Sequence, residues 1–393
     1  MDDDFIDELW EEFDDIFEEH SDEELHEEEL PDEWIELKCR EIQDDEYEEP
    51  TKRNGYHRVE YVSGAVYEGE WKDGLSEGFG KMIYADGEEY IGEWKNDKMD
   101  GNGRYTWSDG AVYEGEWKDD KKQGKGKMIY VSGDIYDGEW KADDKHGKGK
   151  YYFNDGAVYD GDFKEDERSG FGKETYLDGS YYEGKWKNNM KNGHGKYFFV
   201  DGGFFEGEFA DDLPNGKGKW MYADGDSYEG DFKNGIRDGI GKFTYDNGDV
   251  YDGEFRDDVR NGFGKYIASS GEIYEGEYKD DLRNGHGKVF FVNGDVYCGD
   301  FKEGDFSGHG VYTWSDGRVY DGEFVDGLSE GWGKQTYPNG NIYDGEWKND
   351  QRNGWGKLTD SKGKILYEGE WKNDSKKRKR RQKNDSGQPH ETT

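Results

Sequence analysis

The sequence has little of what most folded chains rely on. Only 31% of its 393 residues are hydrophobic, and no run of apolar residues reaches the eighteen that a membrane-spanning helix needs. There are five prolines and two cysteines, Cys39 and Cys298, far apart in the chain. A disulfide framework is excluded, and a reducing compartment fits best. The N-terminus opens Met1-Asp2-Asp3-Asp4, without the basic and apolar regions of a secretory signal. Positive charge is also short, and the formal net charge is −42. Such acidity repels nucleic acid and the anionic cytoplasmic leaflet. Chemistry is missing as well. No Gly-x-Ser-x-Gly, Walker loop or His-Glu-x-x-His occurs. His194, His286 and His309 stand singly between repeated glycines, and His146 just before one, so no metal-ligand set is expected. No catalytic residue, cofactor or metal is expected.

What is present is aromatic side chain (17%) and 61 glycines. Disordered tracts are poor in rings, whereas rings laid over bare backbone can replace an aliphatic core. The rings are ordered. Tyr67-Glu68-Gly69-Glu70-Trp71 recurs as Tyr90-Ile91-Gly92-Glu93-Trp94 and Tyr113-Glu114-Gly115-Glu116-Trp117, and the unit repeats thirteen times, every 23 residues, from Tyr67 to Tyr343. Only the last unit is longer, by one residue, before Tyr367. Position 1 is always Tyr or Phe, position 5 always Trp, Phe or Tyr, and positions 3, 12, 14 and 21 always Gly.

Alternation at positions 1, 3 and 5 is the period of a strand with one packed face. Glycine at position 3 leaves a gap that a ring from a neighbouring strand is expected to cover. Asp-Gly, Asn-Gly or Ser-Gly at positions 20–21 marks a tight hairpin turn. Positions 6 to 12 read as a polar loop; Asn189 and Met190 fall in it. Position 15 is nearly always basic and is expected to lie across from the acids at position 2 or 4. Cys298 replaces the acid at position 2 of its unit and is expected to face solvent. One hairpin cannot stand alone in water, but stacked hairpins can. The fold class is therefore all-β, an elongated single antiparallel sheet of about thirteen hairpins in a solenoid-like ribbon.

The run Tyr-x-Gly-x-Trp, Gly-x-Gly and Asp-Gly at this spacing resembles the MORN repeat (membrane occupation and recognition nexus). The resemblance covers roughly residues 55–374. It implies a sheet of hairpins with an aromatic groove on one face. Here the groove would be built from Tyr67, Trp71, Tyr90, Trp94, Tyr113, Trp117, Tyr136, Trp140, Tyr159, Tyr182 and Trp186. Arrays of that family act mainly as scaffolds and protein-contact surfaces, as in radial spoke heads, cytoskeletal scaffolds and junctophilins.

Two segments flank the array. Residues 1–54 form an acidic arm, disordered or partly helical; its first 50 residues hold 26 acidic and 2 basic side chains. Phe5, Ile6, Leu9, Trp10, Phe13, Ile16 and Phe17 are spaced for an amphipathic helix over Asp4–His20. Trp34, Ile35 and Leu37 are suited to cover the first strand edge. Residues 375–393 form a basic, disordered tail. Its run Lys376, Lys377, Arg378, Lys379, Arg380, Arg381 reads as a nuclear import signal, a lipid or nucleic-acid contact, a site of self-association with acidic residues, or a solubilising end. The leading functional expectation is a non-enzymatic scaffold with protein partners, cytoplasmic and cytoskeletal or ciliary, with a nuclear location through the tail. The alternatives are a phospholipid-binding membrane-contact module and an accessory subunit that recruits a separate enzyme.

Overall fold

The alternating pattern folds as hairpins throughout. In this computed structural model residues 52–377 are described, and they contain 29 strands and no α-helix. The Asp4–His20 helix, the edge cover at Trp34, Ile35 and Leu37, and the tail from Arg378 onward lie outside the described residues. The chain divides into two units, Met1–Ser108 with Trp117–Asp120, and Asp109–Glu116 with Lys121–Thr393. In the first, the strands Gly55–Glu60, Val66–Lys72, Leu75–Ile83, Glu89–Lys95 and Lys98–Thr106 each pair antiparallel with the next. The second repeats this arrangement from Lys121–Ile129 onward to Ser375–Lys376. Ser375 and Lys376, assigned by sequence to the tail, are thus a two-residue strand paired with Lys372 and Trp371.

The register explains the paired glycines. Position 3 lies opposite position 14 of its own unit, and position 14 opposite position 3 of the next: Gly69↔Gly80, then Gly80↔Gly92. Position 15 lies opposite position 2 on both sides, never opposite position 4. Lys265, for instance, faces Asp252 and Glu275. Ion pairs Lys265–Glu275 (2.6 Å), Lys150–Asp160 (3.3 Å) and Lys196–Glu206 (3.4 Å) follow. Being solvated, each contributes at most about 1 kcal/mol.

Position 4 has another role. Opposite it the second strand bulges, and the position-12 glycine at the bulge has positive φ (Gly101 +115°, Gly262 +107°, Gly354 +99°), where a side chain is strained. The position-4 carboxylate lies against that glycine and accepts the N–H of position 13: Trp355 to Glu346 (2.8 Å), Ile240 to Asp231 (3.0 Å), Phe263 to Glu254 (3.0 Å).

The turns are the reverse of the sequence reading. The tight one is at positions 7–8, inside what reads as a polar loop. Both residues there have positive φ (Asp257 49°, Asp258 68°; Asn188 51°, Asn189 66°), as a type I′ hairpin requires. Its signal is diluted: Asp73-Gly74, Asn234-Gly235 and Asp326-Gly327 stand there, but most units hold pairs such as Asp-Asp, Asn-Asn or Ala-Asp instead. The Asp-Gly dipeptide instead belongs to a longer loop. There the Gly87 N–H donates to Tyr84 O (3.0 Å) and the Tyr84 N–H to Glu88 O (2.8 Å). The position-8 side chain reaches back to the preceding unit. Asn189 Oδ1 accepts the Arg168 N–H (2.8 Å), and Asp258 Oδ1 that of Arg237 (2.8 Å). Asn189 is therefore not a dispensable loop residue. The extra residue of the last unit is absorbed where the register shifts between Leu358 and Thr359: Ile365 pairs with Thr359, Tyr367 with Leu358, and Leu366 is pushed out to 45% exposure.

Candidate interaction groove

One face of the strands carries positions 1, 3, 5, 10, 14, 16 and 18. The position-1 ring lies flat over two glycines, its own position 3 and its own position 14. A Cβ built on Gly80 would strike the Tyr67 ring. The covering ring thus comes from two residues earlier on the same strand, not from a neighbour as the sequence suggested. The phenol donates to the position-4 carbonyl: Tyr90 to Glu93 O (3.0 Å), Tyr228 to Asp231 O (3.0 Å), Tyr343 to Glu346 O (2.8 Å). Burial raises the pKa of these phenols well above the usual value.

The position-5 ring meets two position-1 rings edge-on. Trp347 is 5.1 Å from Tyr320 of the preceding unit and 5.3 Å from Tyr343 of its own, at 82° and 87°. Where position 5 is Trp, the indole N–H donates to the preceding unit's position-14 carbonyl, as Trp94 to Gly80 (3.1 Å) and Trp347 to Gly333 (3.0 Å). The eleven rings named from sequence as the groove are these same rings, and none is more than 7% exposed. They are the core of the array and form no open groove. The edge-on packing and the bare glycine backbone beneath close them off, except where a small position-10 residue leaves part of a ring uncovered, as at Ser76 beside Trp71 and Trp94.

What stays open is a second layer. Position 18 carries half-exposed rings, linked from unit to unit through position-16 rings that are half-exposed (Trp220) or buried (Phe243). Phe199 stacks on Trp220 (5.3 Å) and Trp220 on Tyr222 (5.5 Å); Tyr222 leads to Phe243 (6.0 Å) and Phe243 to Tyr245 (4.5 Å). Between this shelf and the core runs a column of cations at position 10. Lys145 Nζ lies 5.0 Å from the Tyr151 ring and 5.9 Å from that of Tyr136; Lys191 Nζ lies 4.9 Å from Tyr197 and 5.5 Å from Tyr182. Burial lowers the pKa of Lys122, Lys145 and Lys191. At three of the column's five arginines an aspartate from the next turn binds the guanidinium, Arg237–Asp258 (3.0 Å), Arg260–Asp281 (3.0 Å) and Arg352–Asp374 (2.8 Å), while Arg168 pairs with Glu174 and Arg283 with Glu272 (2.8 Å). Sequence reasoning missed the column because position 10 also holds Ser76, Met99, Pro214 and Phe306. Only the register shows that these share a line.

Position 22 adds carboxylates at the shelf's edge. Asp295 accepts from Tyr312 (2.9 Å) and the Ser315 N–H (2.8 Å); Asp249 accepts from Tyr266 and the Ser269 N–H (2.8 Å). These bonds favour the ionised form and hold Asp249 down at about 2 from 3.8. A depressed folded pKa gives stability that is complete above the unfolded value and is lost as pH falls through the folded one. We therefore expect the loops at Asp249 to open as pH falls from about 4 to about 2. Hydrogen exchange at the Ser269 amide reads the change. Asp249→Asn should remove this pH dependence there; a pH profile of that variant unchanged from wild type would contradict the assignment.

A family model for the MORN repeat matches fourteen stretches, 67–89 through 343–365 in steps of the unit and then 367–376. The chain belongs to the MORN-repeat family. Among solved structures, it is similar to the TCP domain of SAS-4 of Drosophila melanogaster in complex with a proline-rich motif of Ana2. That match has 15% identity and a TM-score of 0.26, and covers 40% of this chain and 88% of that one. The TCP10 domain of Danio rerio CPAP in complex with a STIL peptide matches at 15% identity and TM-score 0.17, over 69% and 96%. The virginiamycin B lyase of Staphylococcus aureus matches at 14% and 0.13, over 75% and 92%. Likeness at these TM-scores carries no argument about this chain. A search of curated proteins found no match.

The remaining named residues of this MORN array stand as follows. Lys376 Nζ lies over Tyr367 (5.3 Å) and Trp371 (5.7 Å), and Lys377 pairs with Glu370 (2.6 Å). The first two members of the basic run are therefore engaged by the last MORN hairpin, and Arg378, Lys379, Arg380 and Arg381 lie outside the described residues. Cys298 is exposed, 3.9 Å from His286 Nε2, whose Nδ1 is 3.1 Å from Asp300. The order resembles a nucleophile–base–acid set, but all three are exposed on the open face. No group of three or more His, Cys, Asp or Glu among the described residues is placed to hold a metal. Among them, too, no helix is long and apolar enough to cross a membrane.

Proposed function

We propose that this MORN array is a non-enzymatic scaffold that binds protein partners along one face, through the shelf of positions 16 and 18 and the cation column beside it. The observation that carries this is the shelf itself. Solvent reaches ring after ring on a rigid support, and aromatic and arginine side chains are those that dominate protein interfaces. The buried rings of positions 1 and 5 hold the support in shape. The basic tail is proposed as an import signal or a contact with acidic surface, and a cytoskeletal or ciliary setting as its place of work.

The test is affinity capture with the full chain, followed by cross-linking to locate each partner. A variant carrying Tyr176→Ser, Tyr222→Ser and Tyr245→Ser keeps the core rings, so its circular dichroism should match wild type. Its cross-linked partners should fall by about tenfold or more, the loss of two or more interface anchors. Partners retained in full by this variant would contradict the shelf. Flotation of the full chain with phosphoinositide liposomes at physiological salt should fail, because the array, residues 51–374, holds 67 acidic and 44 basic side chains. Strong flotation would favour the membrane-contact reading instead.

A further inference from the structure

The position-10 column has a gap, and the other units show what fits it. In the unit that begins at Tyr159, the Arg168 guanidinium carbon lies 4.4 Å from the ring of Trp186, 5.6 Å from Tyr159 and 5.9 Å from Phe153. The residues at the same positions around Ser76 are Trp94, Tyr67 and Tyr61. The carboxylate is in place as well. Asp97 occupies the turn position from which Asp258, Asp281 and Asp374 bind an arginine of the column. Asp97 Oδ1 accepts the Ser76 N–H (2.7 Å), as Asp258 Oδ1 accepts the Arg237 N–H, and Asp258 still binds the Arg237 Nε. Only the cation is absent. Ser76 lies at the base of a pocket of about 430 Å³, walled by Tyr61, Trp71, Trp94, Met82, Asp97 and Arg53.

The rest of the column favours a cation, since eight of its thirteen members are lysine or arginine. Met99, Pro214 and Phe306 fill the place with apolar groups. Ser329 is the other serine, and there the ring that flanks the column carries an arginine held by Asp316 (2.9 Å) in its own loop. Arg318 lies 4.6 Å over Trp314, the ring equivalent to Tyr61. Arg53, on the wall of the Ser76 pocket, is the preceding member of the column and lies over Trp71 at 4.8 Å. A neighbour of like charge is no obstacle, since Lys122, Lys145, Arg168 and Lys191 stand in four successive units.

We propose that the Ser76 pocket binds an arginine side chain of a partner polypeptide, its guanidinium laid against Trp94 and Tyr61 and paired with Asp97. Planar guanidinium suits both contacts, stacking on rings and binding a carboxylate through parallel N–H groups. The inference deepens the scaffold reading at one place in the groove and rests on it.

The test is calorimetric titration of the full chain with a pentapeptide holding one arginine between glycines, and with the same peptide holding citrulline, the neutral isostere. The arginine peptide should bind saturably in the millimolar range, and the citrulline peptide about tenfold or more weaker. Ser76→Arg should supply the missing cation in cis. It should abolish binding and leave the melting temperature unchanged or higher. Ser76→Met, which copies the next unit, should also block the pocket if the arginine variant folds poorly. Asp97→Asn keeps the turn, as Asn189 does in its unit, and should weaken binding about tenfold, the loss of a charge-assisted pair. Equal binding of both peptides, no saturable binding, or binding indifferent to both Ser76 variants would overturn the proposal. The last would mean attraction to the acidic surface at large. Partner capture through Tyr176, Tyr222 and Tyr245 is untouched by the Ser76 variants, so failure of the pocket and failure of the scaffold reading are separable.

Discussion

Gly184→Val should open the hairpin of Tyr181–Lys187 and Met190–Phe198 at a cost of about 3 kcal/mol, the upper end for overpacking. A Cβ on Gly184 would lie 2.5 Å from Gly195 Cα and closer still to the Tyr182 hydroxyl. Neither can withdraw. Gly195 is backbone in the opposite strand, and Tyr182 is fully buried between Trp186 and Phe209, 5.3 and 5.0 Å away. The fair comparison is Met190→Ala, half-buried just past the turn, which should cost under about 1 kcal/mol. Asn189 does not serve, because its own side chain and positive φ hold the turn. Because each hairpin touches only its neighbours, the damage should be local. Amide exchange across 181–198 should accelerate while residues 274–313 keep their protection. Equal protection in the Gly184→Val and Met190→Ala variants would mean that the two glycines do not meet.

Trp347→Ala should cost about 3 to 5 kcal/mol, as truncation of a buried indole does. Here the loss falls on two units at once. The ring is 7% exposed, meets Tyr320 and Tyr343 edge-on, and ties its unit to Gly333 of the one before by the indole N–H. Trp347→Phe keeps the edge-on contacts and loses only the hydrogen bond. Phe already stands there at 163, 209, 232, 255, 301 and 324, so this variant should lose about 1 kcal/mol. Urea unfolding followed by exchange should show both hairpins, from Val319 to Thr359, opening together in the alanine variant. If only the strands of its own unit opened, the ring would not be the link between units.

The hairpin fold was legible because rings and glycines repeat at a fixed interval, and period 2 within each strand says which residues share a face. The register was legible only in part. Position 15 could be placed against position 2 or 4 from charge alone, and the bulge at position 12 decides between them. The turn at positions 7–8 was hidden because most units put Asp or Asn at positive φ there, and glycine stands at position 8 in only four, Gly74, Gly235, Gly304 and Gly327. The groove was misread for a plain reason. Strong periodicity marks what every unit needs, and every unit needs its core, so Tyr67 and Trp71 are buried. The position-10 column beside that core is free to vary. Position 10 runs through serine, methionine, lysine, arginine, proline and phenylalanine, and no pattern in the sequence singles it out.

The bulge at Leu366 bears on how such a chain can change length. One added residue between Thr359 and Tyr367 moved only Leu366, and Tyr367 and Trp371 still meet at 5.1 Å. The start of that strand, where a bulge can form, therefore acts as a buffer for small insertions, whereas a residue added between Tyr343 and Trp347 would turn the indole to the wrong face. Gain or loss of a whole 23-residue copy leaves every ring opposite its partner. Copy number can drift without refitting the core, one hairpin at a time.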